Sequence, residues 1–169
     1  MKKVIVAGVS AGAGKSTFAI NLGNRLNIHV HHLDSYYWKP GWIERDPEEF
    51  TDAQHQLVGG DTWIIEGNYA SSMEIRMAEA DTFIYLELPL RVCIYRVLKR
   101  WIRNYGKTRP DMGAGCPEKM DKEFLKFIVT TYAARKQAMH QRAIDFQASG
   151  TNRKSIVLQS QKQIDGFLR

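Results

Sequence analysis

The N-terminal segment constrains the fold of this chain most, because an apolar run leads into a glycine-rich loop and then into a helical pattern. Val4-Ile5-Val6-Ala7 is continuously hydrophobic, as expected of a strand that is buried on both faces. The glycine-rich stretch follows directly, and apolar residues at four-residue spacing then predict a helix over Ser16–Leu26. A strand that leads into a helix in this way is typical of a parallel α/β sheet.

The composition of this loop predicts a site for phosphate groups. Gly12 and Gly14 allow the backbone to approach a pyrophosphate closely, and the N-terminus of the next helix directs partial positive charge toward it. Lys15 supplies a charge for the β- and γ-phosphates, and the Ser16 hydroxyl is a ligand for Mg²⁺. The full pattern G-x-x-x-x-G-K-[ST] has its first glycine at position 9, where this chain has Val9. The predicted nucleotide-binding residues are Ala11, Gly12, Ala13, Gly14, Lys15, Ser16 and Thr17.

Further apolar runs alternate with helical patterns along the chain. The runs cover residues 28–33, 63–65, 82–88 and 155–158, and the helical patterns cover 47–58, 90–102 and 119–147. This alternation predicts a parallel sheet with helices on both faces and ligands at the carboxyl ends of its strands. Two stretches do not fit. Residues 34–47 are predicted to form an aromatic loop with a turn, and residues 104–118 a mobile basic lid rich in glycine and proline.

Length and cysteine content limit the class of protein. The 169 residues fit one domain over 1–169, with a single core. The sequence contains no apolar run of membrane-spanning length and no signal-peptide pattern, so we expect a soluble cytoplasmic protein with no membrane partner. Cys93 and Cys116 are too few for a disulfide framework, and we expect both to be free thiols.

Charge is distributed unevenly. Residues 1–88 carry 7 Lys and Arg against 12 Asp and Glu, for a net −5, whereas residues 89–169 carry 17 against 6, for a net +11. A basic half predicts an anionic partner, and nucleic acid, nucleotide phosphates and acidic lipids all qualify on charge alone. The sequence contains no recognisable DNA-reading motif, which favours a small anionic ligand over DNA.

Acidic residues follow the second and third predicted strands. Asp34 is placed to accept a proton from a substrate hydroxyl or to hold Mg²⁺ through water, with the alternative that it only caps a turn. Glu66 is placed to order Mg²⁺, with the alternative that it is a solvated charge at the strand end, and Gly67 leaves space for a substrate. The nearby histidines 29, 31 and 32 alternate along a strand and therefore face opposite sides, which argues against a metal site.

Cationic and aromatic residues complete the predicted site. Arg96, Arg100 and Arg103 share one helix face that leads into the lid with Arg109, although each arginine alone is equally compatible with a solvated surface. Such cations can neutralise charge on a transferred phosphoryl group. Aromatic rings suit a flat acceptor, with ordinary packing as the alternative. They are Tyr36, Tyr37, Trp38, Trp42 and Tyr69.

The longer motifs resemble those of a known family. Residues 32–34, 38–42, 63–69, 106–112 and 115–119 closely resemble the bacterial DNA topology modulation proteins of the FlaR type, and the resemblance spans nearly the whole chain. The order of motifs is also similar to the adenylate-kinase branch of small P-loop kinases. The resemblance implies a three-layer P-loop NTPase fold of the nucleoside/nucleotide-kinase type, a five-stranded parallel sheet in the order 2-3-1-4-5, and binding of ATP with Mg²⁺.

The resemblance also implies roles for individual residues. Glu66 matches the acid after strand three, and Arg100 or Arg103 matches the lid arginines of adenylate kinases. Adenylate kinases have a Pro-Arg pair that binds the monophosphate where this chain has Asn68-Tyr69. This difference disfavours an ordinary nucleoside monophosphate as the acceptor.

Two functions are compatible with these features. The favoured hypothesis is a kinase that uses Mg²⁺ and ATP to phosphorylate a small molecule, possible acceptors being nucleoside-like. The candidate catalytic residues are Lys15, Asp34, Arg100, Arg103 and Arg109; the candidate acceptor-binding residues are Asp34, Tyr37, Trp38, Gly67 and Tyr69; and the candidate metal ligands are Ser16 and Glu66. The alternative is a nucleic-acid-associated ATPase or switch that modulates DNA topology.

Overall fold

A parallel β-sheet between two helical layers forms the core of the structure, a computed structural model that describes residues 1–119 and 121–169. In chain order the elements are β1 (Lys3–Gly8), α1 (Lys15–Leu26), β2 (Val30–His32), α2 (Leu33–Tyr37), β3 (Trp38–Lys39), β4 (Ile43–Glu44), α3 (Pro47–Val58), β5 (Trp63–Glu66), a 3₁₀ turn (Ala70–Ser72), α4 (Met73–Glu79), β6 (Thr82–Leu86), α5 (Leu90–Asn104), α6 (Lys122–Ala148), β7 (Lys154–Leu158) and α7 (Gln161–Leu168).

The sheet has the predicted topology. Its strands lie in the order β2-β5-β1-β6-β7, and all neighbouring strands are parallel. Counting only the strands of this sheet, the order is 2-3-1-4-5, so the predicted fold class is confirmed. The short strands β3 and β4 pair separately as an antiparallel hairpin.

Neighbouring residues of β5 show how the layers are built. Ile64 packs against α1 at Gly23, whereas the indole of Trp63 donates a hydrogen bond to the carbonyl of Val58 at the end of α3. Because consecutive strand residues point to opposite faces, α1 and α3 cover opposite faces of the sheet. Phe83 of β6 lies on the α3 face and packs against Phe146 of α6, with ring centroids 5.9 Å apart.

The segment after the second strand differs from the prediction of a loop over residues 34–47. The strand ends at His32, and α2 and the β3–β4 hairpin occupy residues 33–44. Packing explains the difference. Leu33 is fully buried, and the ring of Tyr37 packs edge-on against Phe50 of α3 at 5.0 Å, so one helical turn directs two apolar side chains into the core.

Other boundaries shift for local reasons, and two helices besides α2 were not predicted. The helix predicted from residue 119 begins at Lys122, because Asp121 caps it by accepting a hydrogen bond from the N–H of Glu123. Strand β6 ends at Leu86 rather than at residue 88. The short helices α4 and α7 lie in segments for which we predicted no regular structure. Both cysteines are free, as predicted, and the structure shows that both are buried. None of the helices described is long and apolar enough to span a membrane.

Candidate active site

A cleft of about 1560 Å³ lies at the carboxyl ends of the central strands. It brings together most of the predicted site residues. Its wall includes Ala11, Gly12, Ala13, Gly14, Lys15, Ser16, Thr17, Asp34, Trp38, Glu66, Gly67, Tyr69, Arg100 and Arg109. Of the predicted residues, Tyr36, Tyr37 and Arg103 are not part of this wall.

The glycine-rich loop has a conformation that only glycine adopts easily. Gly12 and Gly14 have φ values of 78° and 90°, in the left-handed region. A Cβ atom on Gly12 would lie 2.2 Å from the carbonyl oxygen of Cys93 in α5, so this glycine is also required by close packing. Gly14 is the N-cap of α1 and has no side chain to bond the first N–H groups of the helix. These groups therefore remain available to an anion.

Val9 occupies the position of the first glycine of the motif without strain. Its N–H donates a hydrogen bond to the carbonyl of Leu86 at 2.9 Å, which extends the pairing of β1 with β6 by one residue. The valine side chain is fully buried, and its φ is not positive. A glycine is therefore unnecessary here, because the backbone does not enter the left-handed region before Gly12.

Glu66 joins the loop to the neighbouring strand. Its carboxylate accepts a hydrogen bond from the Ser16 hydroxyl at 3.2 Å and lies 3.9 Å from the ammonium of Lys15. His32 Nδ1 is 3.0 Å from the same carboxylate. Burial opposes protonation of His32, but the hydrogen bond and charge of Glu66, with Asp111 and Asp34 nearby, raise the pKa of the imidazole.

This cluster supplies the oxygen ligands that Mg²⁺ prefers, namely a hydroxyl and a carboxylate next to a phosphate loop. Glu66 is only 3% exposed, so it is not a solvated charge at the strand end. Among the residues that the structure describes, no three His, Cys, Asp or Glu side chains form a group that could hold a metal ion by themselves.

Asp34 lies across the cleft in the first turn of α2. The cap of that helix is His32, and its side chain makes no capping bond, so Asp34 does not serve as the N-cap. Its Oδ1 atom accepts a hydrogen bond from the Tyr69 hydroxyl at 2.6 Å. Burial and then the charge of Glu66 raise the pKa of Asp34, against the opposing effects of the Tyr69 hydroxyl, Lys15 and Arg109.

The arginines of α5 and of the lid segment (residues 104–118) have different surroundings. Arg96 reaches the phosphate loop, where it donates a 3.4 Å hydrogen bond to the carbonyl of Ala13. Arg100 and Arg109 both pair with the buried carboxylate of Glu118, at 3.0 Å and 2.7 Å. Arg103 is exposed, and the structure shows no hydrogen bond or ion pair for it with any described residue.

The lid segment contacts the β3–β4 hairpin directly. The N–H of Gly41 donates to the carbonyl of Gly115 at 3.0 Å, and the Trp42 indole donates to the carbonyl of Pro117 at 3.1 Å. Trp42 has a φ of 64°, which is uncommon for a bulky side chain. The rings of Trp38 and Trp42 lie edge-on at 5.4 Å in the wall of the cleft. The hairpin and the lid segment therefore close one end of the cleft together.

Tyr37, predicted to bind the acceptor, instead packs behind the cleft against Tyr69, with ring centroids 4.8 Å apart.

Several residues of the site were not predicted. Asn68 and Arg76 organise the turn after β5, although only Asn68, next to Glu66-Gly67, stands in a motif that could have indicated it. Arg135 and Arg142 of α6 also line the cleft. Both residues lie far in sequence from every predicted motif, so no sequence pattern indicated them.

Comparisons with known proteins identify the fold. No protein-family model and no curated protein match this sequence. The chain is similar to a solved sugar kinase from Janibacter sp. HTCC2649, at 16% identity over 99% of this chain and 92% of that one, with a TM-score of 0.52. It is also similar to shikimate kinase from Bacteroides thetaiotaomicron, at 19% identity over 98% and 93%, with a TM-score of 0.52. Shikimate kinase from Acinetobacter baumannii, solved in complex with shikimate, matches at 12% identity over 99% and 89%, with a TM-score of 0.57. The chain has the α/β fold of small P-loop kinases.

Proposed function

We propose that this protein is a kinase that transfers the γ-phosphoryl group of ATP to a hydroxyl group of a small molecule. The observation that carries this proposal is the presence, in one cleft, of a phosphate loop with Lys15 and of a separate partly buried carboxylate, Asp34. A nucleotide-binding protein without an acceptor does not need the second group. The likeness to sugar and shikimate kinases supports a small-molecule acceptor.

The donor half of the cleft would hold the triphosphate of ATP. The N–H groups of residues 12–17 and the Lys15 ammonium would bind its β- and γ-phosphates. Ser16 and Glu66 would hold Mg²⁺ directly or through water, and the ion would neutralise charge on the phosphates. Arg96, Arg100 and Arg109 would contact the phosphates from the opposite side. We assign no such role to Arg103, whose side chain is exposed.

The acceptor half would place a hydroxyl group next to Asp34. The carboxylate accepts the hydroxyl proton while the hydroxyl oxygen forms a bond to the γ-phosphorus. The bond between that phosphorus and the β–γ bridging oxygen breaks, and ADP leaves. Trp38, Trp42 and Tyr69 would contact a flat ring, which is compatible with a nucleoside-like acceptor.

We also propose that the chain belongs to the FlaR-like DNA topology modulation proteins, on the motifs that it shares with them. A nucleic-acid-associated ATPase or switch is the second candidate function. One observation favours it: Arg91, Lys99 and Arg103 are exposed on α5, a helix without acidic residues, and could bind nucleic-acid phosphates.

An ATP-consumption assay tests both candidates. The purified protein is supplied with Mg²⁺ and ATP together with nucleosides, nucleoside monophosphates or other hydroxyl compounds that carry a ring, and duplex DNA is added in parallel. We expect one small acceptor to stimulate ADP formation and to become phosphorylated, and we expect Asp34→Asn to abolish this transfer while ATP still binds. Stimulation by DNA alone would contradict the kinase proposal, and so would full transfer by the Asp34→Asn variant.

A further inference from the structure

The turn that connects β5 to the 3₁₀ helix has an unusual backbone. Gly67 has a φ of 142°, and a Cβ atom there would lie 2.9 Å from the Cβ atom of Leu33. Tyr69 has a φ of 23°, which a bulky L-residue rarely adopts. Such backbone geometry persists only where the surroundings hold it, and it is often associated with function.

Arg76 of α4 holds this turn. Its side chain is fully buried, and its guanidinium donates hydrogen bonds to three consecutive carbonyls, those of Gly67 at 2.8 Å, Asn68 at 3.2 Å and Tyr69 at 3.0 Å. It forms no ion pair with any carboxylate of the described residues. Burial lowers the pKa of Arg76 to about 10, so the group remains charged at neutral pH. Burying a charge without an ion pair costs free energy, so we expect Arg76 to contribute to another property of the protein.

The two side chains of the turn reach opposite halves of the cleft. The Asn68 side chain accepts a hydrogen bond from the N–H of Gly8 at 3.0 Å and donates one to the carbonyl of Gly8 at 2.8 Å. Gly8 ends β1 directly before the phosphate loop. The Tyr69 hydroxyl donates to Asp34, and its ring is held by Phe50 at 4.9 Å.

We propose that Arg76 is a positioning residue that fixes the donor and acceptor halves of the cleft relative to each other, through Asn68 on one side and Tyr69 on the other. This inference rests on the proposed kinase function and adds to it. The guanidinium fork holds one short turn at three points, and that turn holds Gly8 by a side-chain amide and Asp34 by a phenol. A lysine cannot reproduce the arrangement, because its single ammonium group lacks the planar fork.

The inference predicts different kinetic effects for the two arms of the turn. Asn68→Ala should raise KM for MgATP about ten-fold or more, because the phosphate loop loses the hydrogen bonds between Asn68 and Gly8. The acidic limb of the pH–rate profile should not move, because the contact between Tyr69 and Asp34 remains. Tyr69→Phe should leave that KM unchanged. It should move the acidic limb to higher pH, because the hydrogen bond that stabilises the charged form of Asp34 is lost.

Two variants test the role of Arg76, and a third variant serves as the control for Tyr69→Phe. Arg76→Met should lower kcat about a hundred-fold and raise KM for MgATP, and Arg76→Lys should recover only part of each loss. Measurements are made below the melting temperature of each variant. Tyr85→Phe is the matched control for Tyr69→Phe, because the Tyr85 hydroxyl is buried with no hydrogen-bond partner in the described structure. Its kinetic parameters and pH profile should equal those of the wild type.

Two results would overturn the inference. One is an Arg76→Lys variant that has a lower melting temperature but wild-type KM, kcat and pH profile, since this is the effect of a merely structural residue. The other is a common kinetic effect of Asn68→Ala and Tyr69→Phe. If the wild type phosphorylates no acceptor, the proposed function fails separately. The inference is then tested by calorimetric MgATP binding to Asn68→Ala, which should weaken, and by a carbon-13 NMR titration of Asp34, whose pKa should be higher in Tyr69→Phe. Wild-type values in both experiments would refute it.

Discussion

Replacing Gly12 by alanine tests how tightly the phosphate loop is packed against α5. The added Cβ atom would lie 2.2 Å from the carbonyl oxygen of Cys93, and the residue would keep a φ of 78°. A left-handed backbone costs an L-residue roughly 1–2 kcal/mol, and forcing an extra carbon into a packed site costs roughly 1–3 kcal/mol. We therefore expect Gly12→Ala to lower the free energy of unfolding by roughly 2–5 kcal/mol.

Gly41 provides the matched control. Its φ of 81° is nearly that of Gly12, but a Cβ atom there would meet nothing within 4 Å. Gly41→Ala should therefore lose only the backbone contribution of roughly 1–2 kcal/mol. The assay is urea unfolding followed by circular dichroism, and calorimetry should show that Gly12→Ala also binds MgATP at least about ten-fold more weakly. Equal losses of stability in the two variants would refute the packing argument.

Three further predictions concern single side chains. Burial alone would raise the pKa of Asp81, but hydrogen bonds from Thr82 and from the N–H groups of Lys2 and Lys3 lower it. These hydrogen bonds to the charged carboxylate stabilise the folded protein above the unfolded-state pKa of 3.8, and their contribution is lost as the pH falls through the folded-state pKa. Asp81→Asn should therefore be less stable than the wild type by roughly 1–2 kcal/mol near neutral pH, and the difference in urea unfolding should close in acid; a constant difference would contradict this. Glu118→Gln should melt at a lower temperature and gain more from added MgATP than the wild type, because phosphates can replace the lost partner of Arg100 and Arg109; an equal gain would argue against it. Tyr85→Phe should be as stable as the wild type or more stable, because the buried hydroxyl that it removes has no partner in the described structure, and a clear loss in thermal unfolding would show a missing partner.

The sequence was sufficient to predict the sheet and one wall of the site. Continuous apolar runs gave all five sheet strands to within two residues at each end, and the glycine-rich loop with Lys15 and Ser16 gave the phosphate end of the cleft. These features are local, because each depends on neighbouring residues. The second strand, predicted over 28–33 and found over Val30–His32, is shortened the most. There the left-handed Asn27 ends α1 and the N–H of Ile28 bonds back to Gly23, which shortens the strand.

Tertiary packing explains what the sequence did not reveal. Helix α2 and the hairpin after it depend on the burial of Leu33 and on the contact between Tyr37 and Phe50. No periodic pattern in the sequence indicates either of these packing contacts. The arginine face of α5 was predicted as a unit, yet only Arg96 and Arg100 enter the cleft wall. Arg103 lies at the end of the helix and remains exposed. Helical spacing predicts that the three arginines point in the same direction from α5, but it does not predict how far along the helix the cleft extends.

Two departures from common P-loop sequences, Val9 and Asn68, are parts of one local arrangement. Where a chain turns at the first glycine of the motif, backbone freedom at that position is necessary. Here the Val9 N–H adds one hydrogen bond to the pairing of β1 with β6, and the first residue with a positive φ is Gly12. The polar groups of Gly8 face β5 at the point where that strand has ended, and Asn68 satisfies both of them. The asparagine thus completes the sheet at the position where the site begins. Because Arg76 holds the backbone of Asn68, the entrance to the phosphate loop depends on a residue of α4 whose hydrogen bonds, among the described residues, all go to the turn after β5.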